Sequence, residues 1–331
     1  MNNFNELNKE DLIPFSKIEK KTVEWLVNPY IPKNTFVLVE GEESSGKSTF
    51  VSHIVASLSA SKEPLSGVFL DRSYISLYIS TEEDSNAVLA PRFEAQGGNL
   101  EKIFMIKNPQ EIFSDLKKLE KIVKKNKIDI LVVDPLASIT GNIDSNSERD
   151  VRQFLEPLIA RLSDLNLTLI GIRHHGKSSK NARRKGLGSV AFSSLVRSII
   201  TLYEDDSNNN IKYLTHAKNN FGSKQKTRIF YIEKKGIITW GSEINITADN
   251  LALNDPNKTE PKILKKNKAE ILLLEELKDN KQIPVNDLIK KAKKLGISKR
   301  TLENAKNDLG VKAIKKYTNW AWILPTKTII N

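Results

Sequence analysis

The chain has 331 residues, of which 39% are hydrophobic, and it contains no cysteine. This length and composition are typical of a globular protein with one large and one small domain. The absence of cysteine from the sequence excludes disulfides and thiolate metal sites. No apolar run reaches the roughly 18 residues that cross a membrane, and the polar start MNNFNELNKEDLIPF lacks a signal-peptide core, so we expect a cytoplasmic protein.

The positive charge of the chain is concentrated at its C-terminal end. Residues 262–331 contain 17 Lys and Arg against 7 Asp and Glu, and therefore carry +10 of the net charge of +12. Such a concentration predicts that this region faces a polyanion. The alternative is a lysine-rich segment that only improves solubility.

The periodicity of apolar residues predicts an α/β core. Short apolar segments have the pattern of strands buried on both faces of a sheet, at 36–40, 75–80, 128–134 and 167–173. Helical patterns lie at 47–59, 86–95, 111–125 and 148–164. This alternation predicts a mainly parallel sheet with crossover helices. Further strand-like segments, expected to be antiparallel strands at one edge, lie at 197–203, 211–217, 227–233 and 236–240.

A second, smaller unit follows a polar stretch. The sequence NDPNKTEPK is typical of a linker. Beyond it, three helical segments and a strand pair in VKAIKKYTNWAWILP predict a winged helix-turn-helix. The predicted organisation is an N-terminal segment, an α/β core, a linker and a winged helix-turn-helix, at 1–34, 35–241, 242–266 and 267–326.

The stretch GEESSGKS, residues 41–48, matches G-x-x-x-x-G-K-[ST] between an apolar strand and a helix. In such a loop the glycines let successive N–H groups point at phosphate oxygens, and the helix N-terminus adds its positive dipole end. Lys47 would bridge the β- and γ-phosphates, and the Ser48 hydroxyl would bind Mg²⁺. The predicted nucleotide-binding residues are Gly41, Ser44, Ser45, Gly46, Lys47, Ser48 and Thr49.

Asp134 ends the apolar strand LVVD, where it is placed to hold Mg²⁺ through water. Because ligands of open α/β sheets bind at the carboxyl ends of the strands, this position favours a functional carboxylate. Asp129, at the start of the same strand, is expected to be solvated.

Two further strand ends carry groups suited to hydrolysis. Glu82 and Glu83 follow ISLYIST, and either carboxylate could orient an attacking water. The alternative is an acidic turn that caps the next helix. His174 and His175 follow LTLIGIR, where a sensor of the γ-phosphate would lie.

A basic loop follows the histidines. Six basic residues and no acidic residue lie between 173 and 185, among small residues. This composition suits contacts with a phosphate backbone, although a plain surface loop has a similar appearance. The candidate DNA contacts in this loop are Lys177, Lys180, Arg183, Arg184 and Lys185.

The order GEESSGKST, YISTEED, LVVDP and IRHHGK resembles the RecA-like AAA ATPases of the plasmid and phage RepA-type replicative helicase group. WLVNPYIPKN, APRFEAQGGNLEKIF and THAKNNFG are similar to segments of that group, and the tail GISKRTLENAKNDLG…WAWILP is similar to winged-helix tails of phage- and plasmid-borne members. The resemblance covers the chain from Trp25 to Pro325. It implies a RecA-like P-loop core that uses ATP and Mg²⁺.

The resemblance also implies roles for the residues at the strand ends. Glu82, rather than Glu83, would be the catalytic base, Asp134 the Walker B carboxylate and His175 the sensor. His174 is a candidate to share the sensor role.

The same resemblance implies a ring of subunits, most simply a hexamer, in which Lys218 acts on a neighbouring site. The chain departs from related bacterial replicative helicases at Asn220, where those proteins have an arginine two residues after the lysine. Arg197 and Arg228 are the alternative candidates for an arginine finger, and the sequence does not choose between them. The loop 176–186 would then line the pore.

The leading functional hypothesis is an ATP-driven motor on single-stranded DNA, expected to be a replicative helicase that also meets duplex DNA and other replication proteins. Two alternatives stay open. One is a nucleotide-switched DNA-binding regulator or recombination mediator without unwinding activity, and the other is a partner-binding module whose winged helix binds protein. In the tail, the candidate DNA contacts are Lys299, Arg300, Lys306, Lys315 and Lys316.

Overall fold

The computed structural model describes residues 13–106, 109–113, 115–140, 143, 147–174, 189–205, 208–248, 251, 262–278, 281–316 and 319–324. A short hairpin of β1 (Trp25–Val27) and β2 (Ile31–Pro32) precedes a nine-stranded sheet. The strands of this sheet are β3 (Phe36–Gly41), β4 (Ser76–Ser80), β5 (Ile103–Phe104), β6 (Ile130–Asp134), β7 (Thr168–His174), β8 (Ser198–Asp205), β9 (Asn208–Asn219), β10 (Thr227–Ile232) and β11 (Ile238–Ile244). Their order across the sheet is β11-β10-β9-β8-β3-β7-β6-β4-β5.

Helices cover both faces of the sheet. They are α1 (Lys47–Ser59), α2 (Ala90–Ala95), α3 (Gln110–Phe113), α4 (Leu116–Asn126), α5 (Ala137–Thr140), α6 (Glu148–Ile159) and α7 (Ser189–Leu195). Successive residues of β3 enter opposite apolar clusters: Val37 lies with Ile54 of α1, and Leu38 lies with Leu155 of α6. Because both faces are buried, the strand is apolar throughout. Within the described ranges, no helix has the length and apolar character needed to span a membrane.

The predicted mainly parallel sheet with antiparallel edge strands is confirmed. Strand β3 pairs in parallel with β7 and β8, and β4 pairs in parallel with β5 and β6. Strand β9 is antiparallel to both β8 and β10, and β11 completes that edge. The edge strand β11 ends at Ile244, beyond the predicted end of the core at 241, and Ile246 and Ala248 continue into the apolar cluster beside it. Ile244, Ile246 and Ala248 are apolar at every second position, which is the pattern of a strand with one buried face. The sequence prediction assigned these residues to the linker.

Two predicted helices are interrupted. The segment 111–125 is divided because the Asp115 carboxylate caps α4, accepting a hydrogen bond from the Lys117 N–H at 3.0 Å. The segment 86–95 begins as a π-type turn over Ser85–Leu89 and becomes α2 at Ala90. An aspartate N-cap therefore starts a new helix within a segment whose apolar periodicity alone predicts one continuous helix.

The C-terminal residues form a small unit with its own sheet. It consists of α8 (Lys262–Glu276), β12 (Ile283–Pro284), α9 (Val285–Lys294), α10 (Lys299–Asp308), β13 (Lys312–Lys316) and β14 (Asn319–Ile323). Strand β14 lies between β12 and β13, and Trp322 packs with Leu273, Leu288 and Leu302. Helix α8, which begins inside the predicted linker, also contacts the large sheet, because Lys268 Nζ lies 3.4 Å from the Asp205 carboxylate.

Candidate functional site

The predicted site residues of the core lie at one edge of the sheet. Strands β3, β4, β6 and β7 run in parallel, so their carboxyl ends meet there. Gly41 is the register partner of His174, and Ser80 is the partner of Asp134. The loop from Gly41 to Lys47 leaves β3 at this edge and enters α1.

The backbone of this loop depends on small residues. Gly46 has a φ of 86°, and a Cβ atom there would lie 2.6 Å from Ile232 Cδ1. A Cβ atom at Gly41 would lie 2.4 Å from the carbonyl oxygen of Leu202. Ser44 is also left-handed, with a φ of 63°. The curled conformation predicted for a phosphate cradle thus requires glycine at both ends of the loop.

The Glu42 carbonyl is the centre of the loop's own hydrogen bonds. It accepts the Lys47 ammonium at 2.6 Å, the Ser45 hydroxyl at 2.8 Å and the Ser45 N–H at 3.3 Å. Lys47 is only 4% exposed, and burial lowers its pKa to about 8, although the carboxylates of Asp134 and Glu43 oppose that shift. No side chain caps the N-terminus of α1, so its first N–H groups are directed at the loop. The loop therefore offers amide and ammonium donors suited to an anion.

The side chains of Asp134 and Ser48 are hydrogen-bonded to each other and bring two kinds of oxygen atom together. The Asp134 carboxylate is buried, accepts a hydrogen bond from the Ser48 hydroxyl, and accepts another from the Tyr78 hydroxyl at 3.1 Å. Burial raises the pKa of Asp134, and the two hydroxyl groups and the nearby glutamates modify it in opposite directions. A hydroxyl oxygen beside a buried carboxylate fits Mg²⁺, which takes few protein ligands and completes its shell with phosphate oxygens and water. Among the described residues, no group of three or more His, Asp or Glu could hold a metal ion.

Glu82 and Glu83 have different surroundings. The Glu83 carboxylate is paired with both terminal nitrogens of Arg92, each at 2.7 Å. The Glu82 carboxylate is 55% exposed, and its closest ionic partner is His174 Nε2 at 3.5 Å. Glu82 also contributes to the pKa of Lys47, so its charge acts within the cradle. Of the two carboxylates, Glu82 is the one that a water at the cradle could reach without breaking a bidentate ion pair.

A buried ion pair supports the strand ends below the cradle. The Arg173 guanidinium donates to the Glu40 carboxylate at 2.5 Å, and both side chains are almost fully buried. This pair joins β3 and β7 next to Gly41 and His174. His175, the predicted sensor, lies outside the described residues, as do the basic loop candidates Lys177, Lys180, Arg183, Arg184 and Lys185.

A groove opens beside the cradle. It has a volume of about 690 Å³ and is lined by Thr49, Arg92, Ile232 and Gly236, among others. Thr49 belongs to the predicted nucleotide-binding motif, so the groove continues directly from the first turn of α1. Its size is that of a small-molecule site.

The candidates for action on a neighbouring subunit do not contact the cradle of their own chain. The Lys218 ammonium donates to the carbonyls of Ser193 and Val196 at 2.7 and 2.9 Å, behind α7. Its register partner Ile199 is level with Leu38, which places Lys218 about 10 Å below the end of β3. Arg197 is exposed at the same, amino-terminal edge of the sheet, where its N–H donates to Phe36.

Arg228, the remaining arginine candidate, lies on β10. Its guanidinium donates to Glu243 at 2.9 Å and lies 5.7 Å from the centre of the Trp240 ring. These contacts occupy the guanidinium within its own chain.

The candidate DNA contacts of the C-terminal unit differ in exposure. Lys299 and Arg300 are exposed in the first turn of α10, and Lys315 is exposed on β13. Lys306 is half-buried, with its ammonium 5.5 Å from the centre of the Trp322 ring. For Lys316 only the backbone is described.

Sequence reasoning missed several residues of the site. The Tyr78 hydroxyl donates to Asp134, and the Arg92 guanidinium donates to Glu83. Lys212 on β9 donates to the Ser44 carbonyl at 2.7 Å. Tyr78 lies in an apolar strand and Arg92 in an amphipathic helix, where each side chain has an ordinary structural explanation. Lys212 is separated from the loop by 168 residues, and no local pattern links the two.

The comparisons with known proteins agree with the P-loop core. Residues 6–180 match a family model described as AAA domain. No curated protein matches. Among solved structures, a KaiC-like protein from the archaeon Pyrococcus horikoshii OT3 is 20% identical, with a TM-score of 0.48 over 64% of this chain and 91% of that one. The RadB recombinase is 18% identical, with a TM-score of 0.46 over 62% of this chain and 90% of that one. Because the family model matches more than half of its length, the chain belongs to the AAA domain family.

Proposed function

We propose that this protein is a magnesium-dependent ATPase that drives movement along single-stranded DNA, as a hexameric replicative helicase of a plasmid, phage or other mobile element. The observation that carries the ATPase part is the contact between Ser48 and Asp134 beside Lys47, with the open carboxylate of Glu82 nearby. A triphosphate binder without hydrolysis has no need of that carboxylate. The DNA part is supported by the positive charge of the C-terminal unit.

In this proposal each residue at the sheet edge has a defined task. Lys47 exchanges the Glu42 carbonyl for the β- and γ-phosphate oxygens. Ser48 and Asp134 would hold Mg²⁺, which would neutralise phosphate charge, and the Tyr78 hydroxyl keeps the Asp134 carboxylate in place. Glu82 accepts a hydrogen bond from the attacking water and draws its proton. The groove lined by Thr49 and Arg92 takes the nucleoside.

The ring in this proposal rests on the resemblance to the RepA-type helicases, which assigns Lys218 to a neighbouring site. In support of that assignment, the Lys218 ammonium binds the carbonyls of Ser193 and Val196 in its own chain, and strand register places its backbone about 10 Å from the end of β3. Burial lowers the pKa of Lys218 and the adjacent Arg197 lowers it further, so an anion nearby would be stabilised by both cations. A closed ring gives every site one such neighbour.

The lowered pKa of Lys47 predicts a pH dependence of ATP binding. Phosphates bind the ammonium form, so affinity is complete below the pKa of about 8 and decreases as Lys47 loses its proton above it. We expect the dissociation constant for ATP, measured by calorimetry, to be constant below about pH 8 and to rise by up to about tenfold per pH unit above it. An affinity that stays constant to about pH 10 would show that Lys47 keeps its proton and that burial does not govern this group.

We further propose that the C-terminal unit is a winged helix that binds duplex DNA. Helix α10 presents Lys299 and Arg300 on an exposed first turn, and the hairpin of β13 and β14 presents Lys315. A helix that exposes cations at its N-terminal end can approach phosphates and base edges in a major groove.

Replacing Lys299 and Arg300 together by alanine tests this surface. Both side chains are exposed, so the melting temperature and the DNA-free ATPase rate should not change. Loss of two phosphate contacts should reduce the slope of log affinity against log salt by about two. A charge-matched control is Lys124→Ala with Lys125→Ala, at the exposed end of α4. If the control changes the slope as much as the α10 pair, the effect is general electrostatics and the α10 surface is not the contact.

Strand displacement separates a motor from the alternative regulator or recombination mediator. A labelled oligonucleotide on a forked duplex should be released in the presence of ATP and Mg²⁺, and not with a non-hydrolysable analogue. Binding and hydrolysis without release would favour the nucleotide-switched regulator.

A further inference from the structure

Lys212 is a buried lysine that binds the phosphate loop. It lies on β9, is 4% exposed, and donates to the Ser44 carbonyl at 2.7 Å. Its register partner on β8, Glu204, forms an ion pair with the same ammonium. A buried ammonium is stable only with such partners, because burial of an unpaired charge is costly. The antiparallel hairpin of β8 and β9 is thus fastened to the loop between β3 and α1.

The aliphatic stem of Lys212 also lies close to the loop. Its Cγ atom lies 3.9 Å from the position that a Gly46 Cβ atom would occupy, next to Ile232. The ammonium therefore contacts the loop at the left-handed Ser44, and the stem lies in the space beside Gly46. A non-glycine residue with this backbone conformation persists only when its surroundings hold it.

Lys212 of β9 and Lys47 of the loop lie on opposite sides of the Ser44–Ser45 peptide. In a trans peptide, the Ser44 carbonyl and the Ser45 N–H point in opposite directions. Lys212 binds the carbonyl, while the N–H points to the Glu42 carbonyl, which also accepts Lys47. Fixing the Ser44 carbonyl therefore keeps the Ser45 N–H on the side of Lys47, as a phosphate cradle requires.

We infer that Lys212 is a positioning residue of the phosphate cradle, which fixes the Ser44–Ser45 peptide so that its N–H can bind phosphate. The inference rests on the proposed ATPase function and adds a residue that the nucleotide-binding motif does not contain. Lys212 acts through the backbone of the loop. It is assigned no contact with the nucleotide.

The test is Lys212→Met, which keeps most of the stem and removes the charge. A peptide that binds phosphate equally in the ground and transition states affects KM rather than kcat. We expect KM for ATP to rise about tenfold, with kcat within about twofold of the wild-type value, on the scale of one lost hydrogen bond to a charged group. Lys212→Arg should restore most of the affinity, and Glu204→Gln, which keeps the lysine, should give a smaller increase in KM.

The matched control is Lys268→Met. Lys268 is also largely shielded from solvent and paired with a carboxylate of the same hairpin, Asp205, but it belongs to α8. This control should alter the melting temperature without changing KM. If Lys212→Met lowers only the melting temperature, or lowers kcat at unchanged KM, the positioning role is wrong. If Lys212→Met does not fold, an unchanged KM in Glu204→Gln overturns the inference. A wild-type protein that does not hydrolyse ATP would instead overturn the proposed function itself.

Discussion

Lys47→Met should abolish ATP hydrolysis, with a decrease in turnover of about a thousandfold or more. The buried ammonium is the group of the loop that can move from the Glu42 carbonyl to the transferring phosphoryl group. Methionine keeps the length of the stem and so avoids the cavity that alanine would leave at this buried position. The measurement is steady-state phosphate release at saturating ATP and Mg²⁺.

The control for this variant is Lys62→Met, just beyond α1, where the lysine is exposed. It should have wild-type turnover. If Lys47→Met retains near-normal turnover while Lys62→Met behaves as wild type, the phosphate cradle is not the site of hydrolysis.

Glu82→Gln should bind ATP with wild-type affinity and hydrolyse it about a hundred to ten thousand times more slowly. Glutamine keeps the shape and hydrogen bonding of the side chain but cannot accept the proton of the attacking water. The measurement combines the dissociation constant for ATP with the single-turnover rate, so that loss of binding and loss of chemistry are separated.

Glu83→Gln is the matched variant one residue along the chain. Because Arg92 occupies both oxygens of Glu83, we expect a smaller decrease in the hydrolysis rate. If Glu83→Gln produces the larger decrease, Glu83 is the base, and Arg92 must release it before hydrolysis.

The sequence predicted the central strands and the bounds of α1 well, for a physical reason. Strands buried on both faces must be apolar throughout, so β3, β4, β6 and β7 stand out from polar surroundings. Helix α1 begins at Lys47 and ends at Ser59, as predicted, because the glycine-rich loop fixes its start. The predicted helix at 111–125 was wrong as a single element, because the cap at Asp115 competes with its apolar period.

The side chains that hold the site residues in place could not be predicted from local sequence patterns. In the alternating strand of NNNIKYLTHAK, Lys212 reads as a residue that faces solvent. The structure buries it, because the phosphate loop lies over that part of β9 and supplies the Ser44 carbonyl as a partner. Arg92 is similar, since only the fold brings the groove-lining side of α2 next to Glu83. Neither contact follows the regular spacing of a helix or a strand, so no local sequence pattern indicates it.

In the proposed function, ATP hydrolysis at the sheet edge is coupled to single-stranded DNA. The most direct measurement is the ATPase rate of the purified protein with and without single-stranded oligonucleotide, at fixed salt and saturating ATP. The rate should rise severalfold or more with DNA, and Lys47→Met should show no activity under either condition. A rate that is substantial but indifferent to DNA would contradict it.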